Sequence, residues 1–282
     1  MPVTPSPLRY PGGKTIYAEM LTSVIDNNDL SNCTFVEAFA GGAGAAITLL
    51  LSGKVKSIFL NDLDPAIYSF WCSILDNTEE FLHLMHCTPI TVTEWRKQRE
   101  IYHAKPDDTL QLGFATFFLN RCNRAGILLA NPIGGLEQKS KDKIDARFKK
   151  DKLEGKIREI ANRKDVIKNY NLAAVEFVKK LKLKHRNRKL LVYFDPPYYK
   201  KGELLYFNHY RGDDHEALSH HIRNCSFPWL LSYDNQPEIT DLYNGINIYI
   251  RNLRYSVSKF AMAQELIISN LKMPKHLEAL KS

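Results

Sequence analysis

The chain has 282 residues, 44% of them hydrophobic and 25% charged, which suits a globular protein with one large core and argues against a disordered or fibrous chain. The formal net charge is +8. No apolar run is long enough to span a bilayer, and the N-terminal MPVTPSPLRYPGGK has no secretion-signal core.

The charge is unevenly spread. Lys139 to Lys189 holds 19 basic and 7 acidic residues, while the rest of the chain holds 20 basic and 24 acidic. Such a segment reads as an electrostatic footprint for nucleic acid or as a lysine-rich solvated helical face. The five cysteines are scattered without a C-x-x-C pair, as expected of reduced thiols in a cytoplasmic protein. No cluster of metal-ligand residues stands out, so no metal is expected.

In chain order, Pro2, Pro5, Pro7, Pro11, Gly12 and Gly13 predict an opening loop, followed by a helix from Thr15 to Ile25. Thr34 to Phe39 reads as a buried strand, entering a glycine turn and then a helix from Ala43 to Leu51. Ser57 to Asp62 is a second strand ending in acid. Strand, turn, helix and strand make one βαβ unit, hence a parallel sheet. Pro65 to about Arg163 is helical in pattern, with a break at Asn131-Pro132-Ile133-Gly134-Gly135. Strands return at Asp165–Tyr170, Leu190–Phe194, Trp229–Ser232, Asn247–Ile250 and Glu265–Ser269. The middle then reads as an insertion, residues 70–164, in an α/β domain made of residues 1–69 and 165–282.

Three motifs carry chemistry. In Glu37-Ala38-Phe39-Ala40-Gly41-Gly42-Ala43-Gly44, a strand turns through glycines into a helix, which brings backbone N–H groups close to a ligand. Asp62, at the end of the next strand, is spaced to accept ribose hydroxyls. This pattern would equally suit a dinucleotide, and a purely structural turn remains an alternative. The second motif is Asp195-Pro196-Pro197-Tyr198 after the hydrophobic strand Leu190–Phe194. Two prolines remove N–H groups and leave carbonyl acceptors. An amine being alkylated needs acceptors for its hydrogens and no competing donor; Asp195 and the Pro196 carbonyl supply them. Tyr198 offers a face on which an extruded base can stack. A Pro-Pro turn that merely ends a strand is the structural alternative. The third motif, Leu8-Arg9-Tyr10-Pro11-Gly12-Gly13-Lys14, is by itself a turn with a flanking base. Asp214-His215 reads as a helix start, where Asp214 caps and His215 has a structural role rather than a DNA contact.

With these motifs in this order, the chain resembles the D12 class of N6-adenine-specific DNA methyltransferases, relatives of the Dam methylases. The resemblance also takes in Asn120-Arg121 with Gly126, Ser232-Tyr233-Asp234-Asn235, and Glu265 to Asn270. It implies a Rossmann-like methyltransferase sheet with a mainly helical target-recognition insertion. It implies S-adenosylmethionine as cofactor, with Tyr10, Lys14, Phe39, Gly41, Gly42, Gly44, Asp62 and Asp195 as its contacts. Tyr10 stands where the Dam branch has Trp. Asp195, Pro196, Pro197 and Tyr198 become the catalytic turn, acting on a flipped adenine by direct in-line transfer. Double-stranded DNA is the expected partner, contacted by Asn120, Arg121, Arg124, Lys139, Lys141 and Lys143. A cognate restriction endonuclease is a partner compatible with this class.

Overall fold

The computed structural model describes residues 4–9, 17–185, 188–199, 210–254, 262–275 and 277–280. The chain divides into two compact units. A helical unit comprises Met1–Ile16, Ala40–Thr48 and Asp64–Asn171; a sheet unit comprises Tyr17–Phe39, Leu49–Leu63 and Leu172–Ser282. Among the described residues, no helix is long and apolar enough to cross a membrane.

The elements begin with α1 (Ala18–Asn27), β1 (Thr34–Glu37), α2 (Gly44–Leu51) and β2 (Ser57–Asn61). Five helices follow: α3 (Pro65–Asp76), α4 (Thr78–Cys87), α5 (Val92–Ala104), α6 (Thr109–Cys122) and α7 (Lys150–Ala161). After β3 (Ile167–Tyr170) come α8 (Ala174–Lys184), β4 (Leu190–Phe194), α9 (Gly212–Arg223) and β5 (Trp229–Asp234). The chain closes with α10 (Pro237–Leu242), β6 (Asn247–Arg254), β7 (Met262–Ser269) and β8 (Glu278–Ala279).

In the sheet unit the strands run in the order β2-β1-β4-β5-β7-β6-β8. The pairs β2–β1, β1–β4 and β4–β5 are parallel; β7 runs against both β5 and β6, and β8 against β6. β2, β1, β4, β5 and β6 therefore share one direction. Strand order reverses at β1, since the chain leaves toward β2 and returns on the other side as β4. The crevice beyond the carboxyl ends at such a switch point is where open α/β sheets bind ligands. β4 is buried along its whole length, Leu190 to Phe194. Burying side chains of this size stabilises by roughly 1.5–3 kcal/mol each.

The helical unit is capped and packed by local chemistry. Asp64 accepts the Ala66 N–H at 3.0 Å with Pro65 opening α3; Thr91 caps α5 and Asp108 caps α6. Phe70, Phe81, Phe114 and Phe117 interlock, with Phe70 stacked on Phe117 at 5.9 Å. Gly113 lets α6 approach α3, because a Cβ there would lie 2.5 Å from the Ser69 carbonyl oxygen.

Between α6 and α7 the chain holds only a short 3-10 turn, Arg124–Gly126, so the break is wider than the five residues expected. Side-chain amides replace the helical bonds there. Asn123 donates to the carbonyls of Ile127 and Leu128 and accepts the Trp95 indole N–H at 2.6 Å. Gln138 accepts the Ile144 N–H and donates to the Ile133 carbonyl.

Candidate active site

In the sheet unit, the ends of β1 and β4 lie side by side: the Ala38 N–H donates to the Tyr193 carbonyl at 3.0 Å. Asn61, buried at the end of β2, donates to the carbonyls of Ala38 and Leu172 and accepts the Leu172 N–H. This clamp fixes the point where Asp62 leaves the sheet half-buried. Phe39 meets the edge of Tyr210 at 5.8 Å. Burial, with Asp214 and Asp62 nearby, pushes the Tyr210 phenol above its ordinary range.

The Asp195–Tyr198 turn hangs on side chains of β5 and β7. Ser232 donates to Asp195 Oδ1 at 2.8 Å. Tyr198 donates its hydroxyl to the Glu265 carboxylate. The Tyr199 N–H donates to Asp234 Oδ1 at 2.9 Å. Asp234 and Glu265 are register partners across the antiparallel pair, and Ser232 and Asp234, two residues apart, share one face of β5. Pro196 and Pro197 are buried and have no N–H to donate. With its own backbone unable to make those bonds, the turn is fixed by the polar side chains beside it. Ser232, Asp234 and Glu265 lie in the segments that carry the resemblance, which implies no site role for them. The signal that could have found them is a polar residue within a hydrophobic strand, as in Trp229-Leu230-Leu231-Ser232-Tyr233-Asp234.

His215 is 1% exposed and packs against Tyr199, Tyr210 and Tyr233; its Nδ1 lies 2.6 Å from the Tyr233 hydroxyl. Burial lowers its pKa below the ordinary 6.5, against the opposing pull of Asp234 and Asp214. Asp214 accepts the Arg211 N–H at the start of α9.

In the helical unit, the glycine turn takes left-handed backbone at Gly41, φ 44°, which glycine adopts freely, and at Ala43, φ 46°. The Trp71 indole donates to the Gly41 carbonyl at 3.0 Å, and Ala43 N–H bonds back to Ala40. Gly41 and Gly42 are buried, and Gly44 opens α2. Tyr10 and Lys14 lie outside the described residues.

The expected DNA contacts separate. Asn120 is fully buried, which removes it from any surface open to DNA. Its side chain accepts the Arg9 N–H at 2.7 Å and donates to the carbonyls of Arg9 and Gly126. Gly126 sits at φ +79°, where a Cβ would come within 2.3 Å of the Arg9 carbonyl oxygen. Arg121 donates to the carbonyls of Pro7 and Arg147, and Lys156 to those of Thr4 and Ser6. Burial, reinforced by Arg9, pushes Arg121 down to about 10. These groups anchor residues 4–9. Arg124, Lys139, Lys141 and Lys143 are exposed; Lys139 pairs with Glu137, and Lys143 donates to the Gln138 carbonyl. Within the basic segment, Lys150 bonds the carbonyls of His86 and Thr88, and Arg158 bridges Glu79 and Glu154.

Among the described residues, no group of three or more His, Cys, Asp or Glu could hold a metal ion. The cysteines carry no disulfide, and burial pushes the Cys33 and Cys225 thiols up to about 11.

No curated protein matches the chain. Two solved structures of the rRNA methyltransferase aviRa from Streptomyces viridochromogenes are similar to it. One has 11% identity and a TM-score of 0.44, covering 93% of this chain and 86% of that one. The other has 11% identity and a TM-score of 0.40, covering 92% and 86%. The model of the D12 class N6 adenine-specific DNA methyltransferase family matches residues 10–257. That span runs through the glycine turn, Asp62, the Asp195–Tyr198 turn and the strand bearing Ser232 and Asp234, and the chain belongs to this family of enzymes that methylate adenine in DNA.

Proposed function

We propose that the Asp195-Pro196-Pro197-Tyr198 turn accepts an adenine extruded from duplex DNA and directs S-adenosylmethionine-dependent methylation of its N6. The observation that carries this reading is the setting of Asp195: a carboxylate at the end of a buried parallel strand, held by Ser232 and followed by two peptide nitrogens without hydrogens.

The donor set fits the cofactor. Asp62 follows β2 and Asp195 follows β4, the strands on either side of β1. Carboxylates there suit ribose hydroxyls and an ammonium group through charge-assisted bonds. Asp62 would hold the ribose, Asp195 the methionine moiety, and Phe39 would give an apolar contact. Gly41, Gly42 and Gly44 keep their expected role as a turn open to close approach. When bound, the cofactor supplies an electrophilic methyl group on a sulfonium sulfur.

The protein's part is orientation and electrostatics. The adenine amine is a poor nucleophile because its lone pair is delocalised into the ring. Asp195 and the Pro196 carbonyl accept its hydrogens and favour the nitrogen as it rehybridises and becomes positive. Pro197 adds no competing donor, and the Tyr198 ring offers a stacking face. Extruding the base costs a few kcal/mol, roughly, which stacking and these bonds offset. Residues 70–164 serve target recognition in this reading, with Arg124, Lys139, Lys141 and Lys143 meeting phosphates.

Asp195→Asn tests it. Asn keeps the size and one acceptor oxygen, loses the charge, and can turn an NH2 toward the target amine. In single turnover with saturating cofactor, methyl transfer should fall by about two to four powers of ten while DNA affinity is retained. A folded variant that transfers at the parent rate would remove Asp195 from the mechanism.

A further inference from the structure

We propose that Ser232, with Tyr193 behind it, is a positioning relay that sets the Asp195 carboxylate for methyl transfer; this rests on the reading of Asp195 as acceptor of the target amine. Ser232 is fully buried on β5, the strand paired in parallel with β4. Its Oγ lies 2.8 Å from Asp195 Oδ1 and 2.8 Å from the Tyr193 hydroxyl, which is also buried.

The direction of the relay follows from counting hydrogens. A serine hydroxyl has one to give, and an ionised carboxylate only accepts. The Ser232 hydrogen therefore goes to Asp195, and Tyr193 must donate to Ser232. The far end of the relay is held in place: the Tyr193 ring sits 6.2 Å from Tyr17 and 6.3 Å from Phe35, centroid to centroid. The bonds run in series, so each polarises the next.

Packing alone does not call for this arrangement. An alanine at position 232 would fill a hydrophobic strand without burying a hydroxyl that needs partners. What the hydroxyl adds is a fixed carboxylate. A carboxylate is planar, so a bond that fixes Oδ1 also orients Oδ2. Transfer to a nucleophile is sensitive to small misplacements of the groups that hold it.

The test is a double-mutant cycle on the full chain, read as single-turnover methyl transfer to duplex DNA with saturating S-adenosylmethionine. Ser232→Ala removes a hydrogen bond to a charged group and should slow transfer by about 10- to 100-fold. DNA affinity should stay at the parent value; melting temperature should fall in Ser232→Ala, which takes Ser232 from the buried Tyr193 hydroxyl, and recover in the double variant while the rate does not, separating positioning from folding. Tyr193→Phe removes a neutral bond one step back and should slow transfer by about 3-fold. In rate, the double variant should match Ser232→Ala alone, because in the relay the effect of the Tyr193 hydroxyl on Asp195 passes through Ser232. Ser232→Ala at the parent rate, or two losses that simply multiply, would overturn the relay. Should Ser232→Ala fail to fold, Tyr193→Phe carries the test, and a folded Tyr193→Phe at the parent rate overturns it. The same substitutions in an Asp195→Asn background separate the two claims. Slow Asp195→Asn with no further loss from Ser232→Ala supports both. Asp195→Asn at the parent rate sinks the reading of Asp195 itself. Slow Asp195→Asn beside unimpaired Ser232→Ala removes only the relay.

Discussion

In the sheet unit, buried Ser232, Asp234 and Glu265 turn toward the residues that follow β4. In the helical unit, buried Asn120 and Asn123 turn toward the chain's own carbonyls and N–H groups. Both sets meet the rule that a buried polar group must find a partner. They differ in what the partner does. A turn containing two prolines cannot fix itself by backbone bonds, so its neighbours fix it, and in the proposed reading the polar residues there act on a reacting group. Around Asn120 the partners are Arg9 and Gly126, and the result is an anchored segment. Burial of polar residues marks both places; only the identity of the partner tells a site from a brace.

The comparison can be broken most sharply at Asn120. Asn120→Ala would strand the Arg9 N–H and the carbonyls of Arg9 and Gly126, each at about 1–3 kcal/mol, so denaturant titration should show a loss of about 3 kcal/mol or more. DNA affinity of the fraction that remains folded should match the parent. A stable Asn120→Ala with weakened DNA binding would return Asn120 to the interface.

The sheet unit predicts the opposite pattern. In the proposed reading, Asp62→Ala removes a charged partner of the cofactor from a half-buried position after β2. S-adenosylmethionine affinity should fall by about 1–3 kcal/mol with melting temperature nearly unchanged. Calorimetry giving parent affinity would take Asp62 out of the cofactor site.

Smaller effects are expected at exposed lysines. Reversing Lys139, Lys141 and Lys143 to Glu should weaken binding to all duplex sequences alike and flatten its salt dependence. Since Lys139 already pairs with Glu137 and Lys143 with a backbone carbonyl, Lys141 should account for the largest single share. An unchanged salt slope in the triple variant would make all three a solvated face.

The smallest is the pH response of His215. Its folded pKa lies below the ordinary 6.5 because burial disfavours the cation. Its contribution to stability is therefore complete above pH 6.5 and is lost as pH falls through the lower folded value, because the unfolded chain takes up the proton first. His215→Gln should flatten the stability profile below that pH. A parent profile that is already flat there would contradict the assignment.

Much of the sheet unit was legible in the sequence. Leu190–Phe194 is a strand with the expected limits, and β1, α2 and β2 start within one residue of expectation. Long apolar runs bounded by glycine, proline or acid leave the chain few alternatives. The reversal of β7 was not legible, since periodicity gives a strand its faces and not its direction. The burial of Asn120 was not legible for a related reason: a polar residue at the end of an apolar helix looks alike whether it faces DNA or residues 4–9. The basic stretch looked uniform as a sequence, yet Lys150, Lys156 and Arg158 are committed to partners that only folding brings near.

The most direct measurement is the identity of the methylated product. Purified protein would be incubated with labelled S-adenosylmethionine and unmethylated duplex DNA, with ribosomal RNA in a parallel reaction, and each digested to nucleosides for mass spectrometry. The account predicts N6-methyladenine from the DNA, with the Asp195→Asn protein giving it far more slowly. Label found only as N4-methylcytosine, or only in the RNA, would contradict it.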